Sequence, residues 1–286
     1  MKFALPTSDI AFKKLFTDSK HKDVLMSFLN AVLDKNGEQK IVDVSILDAN
    51  NQPELFDLKQ TILDVRCTDQ SGHHYIVEMQ RRNYKDFLER SLFYSAQVYS
   101  RQLKTREAYK ELMPVIFIEI LNFNIFKSKN PVSHHLILNT QTYEQEIKNQ
   151  EFHFIELTKF VKKEDELETI VDKWLYLLKN AGDFDEVPKK LKNPEELNEA
   201  LDILSTHQWS VRELEVYDKE MDRARVEISI METEKEEREK FRQEVAMETA
   251  IEERKAIAKS MQAKGIDVKT IADVTKLRID EIKSLK

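Results

Sequence analysis

Cysteine is all but missing from this chain of 286 residues. Cys67 stands alone, which excludes an internal disulfide and points to a reducing compartment. Glycine and proline are scarce too, at 4 and 6 residues, so long uninterrupted elements are allowed and helix is expected to dominate. No glycine-rich phosphate loop is present. No apolar run approaches the roughly 18 residues needed to cross a bilayer. The first eleven positions carry charge early and lack the apolar stretch of a secretion signal. The expectation is a cytoplasmic protein with no membrane partner. A zinc centre is not expected either. His73 and His74 are adjacent, so on a strand they point to opposite faces, and no Cys or further His lies at ligand spacing.

Charge, by contrast, is abundant. Charged residues make up 34% of the chain, with a net charge of -7. The deficit is unevenly placed: residues 1–160 hold 21 basic and 21 acidic side chains, and residues 161–286 hold 24 and 31. Within the neutral part, residues 81–110 carry eight basic groups against three acids, a local +5. Screening confines electrostatic attraction to about 8 Å at physiological salt, so such a strip can grip phosphates on an acidic protein.

Hydrophobic spacing sets the order of elements. Residues 8–16 read as a short helix with Ser8 as N-cap, and 22–34 as a longer one ending before Gly37. Strands follow at 41–47, 60–68 and 73–80, then a helix over 84–104 on the periodicity of Phe87, Leu88, Leu92, Tyr94, Ser95 and Val98. Residues 114–121 are nearly continuously apolar, as in a strand buried on both faces. One more strand is expected at 151–157. Helices at 164–180 and 194–206 precede a stretch, 209–264, without a single Gly or Pro, which reads as a long charged helix with a partial apolar heptad from Leu214 to Met231. After Gly265 come two short helices. The expected fold is α/β: a mixed central sheet flanked by helices, then an α-helical C-terminal region. The expected division is a domain at 1–160, a helical extension at 161–206, the long helix at 207–264 as an oligomerisation device, and a helix-turn-helix-like tail at 265–286.

The chemistry concentrates in one hairpin. Gln70-Ser71-Gly72 joins the strands 60–68 and 73–80, and a hairpin centred on Ser71 pairs residues whose numbers sum to 142. Asp64 then faces Glu78, with Gln80 two residues along on the same face. Leu63, Val65, Cys67, Tyr75, Val77 and Met79 form the opposite, apolar face. Two facing carboxylates repel and are costly to bury, and a divalent cation removes that cost. Solvated acids on an exposed strand would look the same, and spacing leaves both readings open.

A resemblance decides between them. Asp64 followed by Glu78-Met79-Gln80 is similar to the acid…(E)x(Q) core of PD-(D/E)XK nucleases. More narrowly the chain resembles the recombination-promoting nuclease (Rpn/YhgA-like) family of transposase-like proteins. That likeness rests also on Asp9-Ile10-Ala11-Phe12-Lys13-Lys14-Leu15-Phe16, Phe28-Leu29-Asn30-Ala31-Val32-Leu33, and Phe87, Arg90, Tyr94, Tyr99 and Gln102-Leu103. The resemblance covers roughly residues 1–160. It implies a restriction-endonuclease-like core and a metal-dependent DNA endonuclease of little sequence specificity, acting in recombination, mobile-element biology or defence. Asp64 and Glu78 would be ligands of Mg²⁺, with Mn²⁺ a substitute, and Asp9 a third acidic ligand or a helix-dipole carboxylate. Gln80 would stand where most of the superfamily has lysine. That departure leaves open the alternative of a catalytically inactive DNA-binding or regulatory protein. DNA contacts are expected from Lys13, Arg81, Arg82, Lys85, Arg90, Tyr94 and Arg101, and self-association from the long helix.

Overall fold

The computed structural model describes residues 2–47, 65–83, 85–103 and 106–285. They form two compact units, Met1–Glu220 and Met221–Lys286.

The first unit begins with α1 (Asp9–Phe16), capped by Ser8, whose Oγ accepts from the Ala11 N–H at 3.3 Å. This satisfies one of the donors every helix start leaves open. Helix α2 (Lys22–Val32) packs beside it through the Phe16–Phe28 ring contact at 5.0 Å. Strands β1 (Val44–Ile46), β2 (Val65–Asp69) and β3 (His74–Gln80) are antiparallel neighbours. Helix α3 (Phe87–Ser100) then carries the chain across to β4 (Val115–Leu121), which lies parallel to β3. Two further strands, β5 (Val132–Leu136) and β6 (Gln150–Glu156), complete a sheet in the order β1-β2-β3-β4-β6-β5. The mixed sheet with flanking helices is the fold class the sequence implies. The edge strand β5 was not anticipated: Val132-Ser133-His134-His135-Leu136 is half polar and largely exposed, so it carries no strong apolar alternation.

Both faces of the sheet are covered, which is why β4 is buried at every one of its 7 positions. On one face Val65, Cys67, Tyr75, Val77, Met79, Ile116, Ile118 and Ile120 join the main core. That core also takes in α1, α2 and two later helices, α4 (Ile170–Asn180) and α5 (Glu195–Leu204). Trp174 sits at its centre, fully buried against Phe16 and Phe28. Truncating such a residue to alanine costs about 3–5 kcal/mol. On the other face α3 covers β3 and β4. Val98 packs on Ile76, Val115 and Phe117, and Phe87 packs on Leu121 and Phe154.

The long helix α6 (Val211–Ala263) begins in the first unit and runs on into the second. There, Ala258 near its end packs with Ile271 of α7 (Val268–Thr275), Ile282 of α8 (Ile279–Ser284) and Leu277 from the connection between them. Gly265, at φ +75°, takes the left-handed conformation that stops α6. Among the described residues, no helix is long and apolar enough to cross a membrane.

Candidate active site

The β2–β3 turn fixes everything downstream. Gly72 adopts φ +84°, a conformation open to it for want of a Cβ, and its N–H donates to the Asp69 carbonyl at 3.0 Å. The Asp69 carboxylate accepts from the Ser71 N–H at 2.8 Å, the His73 N–H at 3.0 Å and the Tyr75 hydroxyl at 2.9 Å. Burial pushes the Asp69 carboxyl up, but hydrogen bonds from His73 and Tyr75 outweigh it and hold the group below its ordinary value. A turn tied at so many points leaves the strands one register. Val65 pairs with Val77, Arg66 with Ile76, Cys67 with Tyr75 and Thr68 with His74. At every described rung the numbers sum to 142, the register expected of a turn centred on Ser71, with no slip at Gly72. Asp64 itself lies outside the described residues.

The alternation of β3 places Glu78 and Gln80 together on the face under α3, while Tyr75, Val77 and Met79 enter the main core. Parallel pairing with β4 then sets Glu78 beside Glu119. Sequence reasoning missed Glu119. It is an acid within an otherwise apolar strand, and it is only 3% exposed. The helix above it explains how it is tolerated. The buried stripe of α3 is Phe87, Ser91, Ser95 and Val98, with two serines between the apolar ends. The Ser91 hydroxyl, 3.0 Å from the Phe87 carbonyl, also hydrogen-bonds the Glu119 carboxyl. Burial pushes Glu119 up to about 7, against Ser91 and the positive charge of Arg90, which both favour its ionised form. Leu88 and Leu92, expected to anchor α3, are exposed instead, because the serines take the sheet-facing side.

Arg90 joins this arrangement directly. Its Nη2 donates to Gln80 Oε1 at 3.1 Å. Amide and guanidinium thus meet where β3 ends beneath the first turns of α3, with Glu78 two residues back on the same face of the strand. Tyr94, one turn on, packs against the Ile76, Val98 and Phe117 cluster and is in part a core residue. Arg101, at the end of α3, is exposed and lies near enough to Arg66 to add to the effect of burial in weakening that group's hold on its proton.

A second cluster forms at the start of α1. The Asp9 N–H donates to Glu220 Oε1 at 2.6 Å and the Ile10 N–H to Glu220 Oε2 at 3.4 Å, while Arg81 Nη1 lies 3.6 Å from Glu220 Oε1. Glu220, from α6, thereby caps α1 and ties down Arg81, a residue expected to contact DNA. Its carboxyl is pushed up by burial and by the neighbouring Asp9 charge, while the two backbone N–H bonds and Arg81 favour its ionised form. Lys13 and Lys85 are exposed, and Arg82 is half-buried after the end of β3.

Among the described residues, no three His, Cys, Asp or Glu side chains converge to hold an ion. Two rungs from Gln80, Glu78 and Glu119 bring carboxylate oxygens together on neighbouring strands. Such donors suit a hard cation and not a thiolate- or imidazole-seeking metal. Comparison with known proteins supplies the lineage. Residues 6–234 match the model of the PD-(D/E)XK nuclease family transposases. Neither the curated proteins nor the solved structures contain a match. With the match spanning most of its length, the chain belongs to the PD-(D/E)XK nuclease family transposases.

Proposed function

We propose that the chain is a divalent-metal-dependent DNA endonuclease that hydrolyses phosphodiester bonds with little sequence preference. The observation that carries this reading is the convergence of Glu78, Gln80 and Arg90 at one end of the β3–α3 layer. Within a nuclease family, acid, amide and cation answer three needs: a ligand for metal, a donor for water or a phosphate oxygen, and a positive charge. Asp64 and Glu78 would hold Mg²⁺ or Mn²⁺, with Asp9 as a further ligand. The ion supplies activation of the attacking water and neutralisation of charge on the phosphoryl group.

The chain's own residues would do the rest. Gln80 cannot act as a base or carry charge, so its amide orients water or a phosphate oxygen. Lys13, Arg81, Arg82, Lys85, Tyr94 and Arg101 would hold the sugar-phosphate backbone, contacts that position a duplex without reading its sequence. Self-association through α6 fits its exposed Val226, Ile230, Phe241 and Val245.

The test is nicking of supercoiled plasmid in Mg²⁺ or Mn²⁺, with EDTA, Asp64→Ala and Glu78→Ala as controls. Cleavage that needs metal and both acids supports the reading. Undiminished cleavage by purified Asp64→Ala removes the site. Tight DNA binding with no cleavage in either metal favours the non-catalytic alternative, to which the glutamine at position 80 lends its weight.

A further inference from the structure

The glutamine that stands in place of lysine is not alone. Arg90 Nη2 donates to Gln80 Oε1 at 3.1 Å, which fixes which way round the amide sits. With the oxygen turned to Arg90, the planar amide presents its two Nε2 donors on the opposite side. Arg90 also lies close to the buried acid of β4. It adjoins Ser91, which hydrogen-bonds Glu119, and the Glu119 carboxyl feels the guanidinium charge. Glu119 occupies the rung beside Glu78, so the chain of groups runs from the buried sheet outward to the site. A lysine offers charge and donor in a single ammonium. Here the two are divided between two side chains.

We propose that Gln80 and Arg90 act as one unit in the cleavage step. Gln80 Nε2 donates to the scissile phosphate or the attacking water, Arg90 supplies the positive charge, and Glu119 is the positioning residue that keeps Arg90 against Gln80. The proposal rests on the nuclease reading given above. It has a consequence that the glutamine alone does not. Lysine at position 80 does not restore the superfamily arrangement, because it has no acceptor for Arg90 and sets one cation against another. It becomes acceptable only when Arg90 gives way.

The experiment uses the full-length protein carrying Gln80→Lys, Arg90→Gln, or both. The first readout is the thermal midpoint in EDTA, which needs neither metal nor DNA. The second is the Mg²⁺-dependent nicking rate at saturating plasmid. Each single substitution is expected to lower the saturated rate by about a hundredfold, the scale for losing one preorganised donor. The double variant should recover in midpoint and rate well beyond the additive sum of the singles. Glu119→Gln should lower the saturated rate with little change in KM. It should have no further effect in the Arg90→Gln background, and Glu119→Asp should restore part of the rate. Additive losses in both readouts overturn the proposal, as does a Glu119→Gln effect of equal size with and without Arg90. If the wild-type protein cuts nothing in either metal, the nuclease reading falls and takes the catalytic role with it. The midpoint cycle then still separates a coupled Gln80–Arg90 pair from two independent side chains.

Discussion

Replacing Glu119 with glutamine should change stability in a way that depends on pH. The carboxyl titrates at about 7 in the folded protein against an ordinary value of 4.5, chiefly because burial penalises its charge. Between those values the folded state holds a proton that the unfolded chain has lost. Stability is therefore undiminished below pH 4.5, falls as pH rises toward 7, and stays level above it. At about 1.4 kcal/mol per pH unit the full loss is about 3 kcal/mol, most of which develops between pH 5 and pH 8. Glutamine preserves the shape and has no charge to lose. Urea denaturation in EDTA, followed through the two tryptophans (Trp174 and Trp209, both buried in the first unit), reads the relevant transition. The free-energy advantage of Glu119→Gln over wild type should grow by about 2–3 kcal/mol from pH 5 to pH 8. A difference that stays constant across this range would refute the claim that Glu119 folds with its proton.

Other expectations follow from the same geometry. Asp69→Ala should lower stability by about 1–3 kcal/mol at neutral pH, because it strips an acceptor from the Tyr75 hydroxyl and the turn N–H groups; chemical denaturation measures it. Neutralising Lys85 or Arg101 should each reduce the slope of log K against log salt for duplex binding by about 0.9. Neutralising Arg81, already paired with Glu220, should reduce it less, and equal slopes would show that the pair opens on DNA. A fragment ending at Glu220 should unfold cooperatively. One ending at Leu204 should lose about 3–5 kcal/mol through the missing Trp209, and matching urea midpoints would count against that packing.

The hairpin was legible because its rule is arithmetic: a three-residue turn and a period of two fix every partner from Thr68–His74 to Val65–Val77. The buried strand β4 was legible as an apolar run, and that same run concealed its acid. Glu119 is one charge among hydrophobic neighbours, and its fitness for burial depends on Ser91 and Arg90, which lie far back in the chain. Helix α3 shows why periodicity alone misleads at such a place. Leucines at 88 and 92 and serines at 91 and 95 both recur at helical spacing, and the serines are the pair that faces the sheet, where Ser91 bonds the buried acid. Glu220 was beyond reach for a different reason. Within a long acidic helix nothing marks it as a cap for Asp9, more than two hundred residues away.

That cap gives α6 an uneven genetic character. Glu213 binds Lys14, Tyr217 Oη accepts from the Leu5 N–H at 2.9 Å, and Glu220 holds the start of α1, all along one side of the helix. Exposed side chains then predominate from Arg225 onward until Ala258 meets the tail. A scan of every substitution along α6 would show sharp intolerance every three or four positions in its first turns, then a long stretch where almost any helix-forming residue is accepted. Variants at Tyr217 and Glu220 would behave as lesions of the domain they touch, although by composition they are indistinguishable from the permissive sequence that follows.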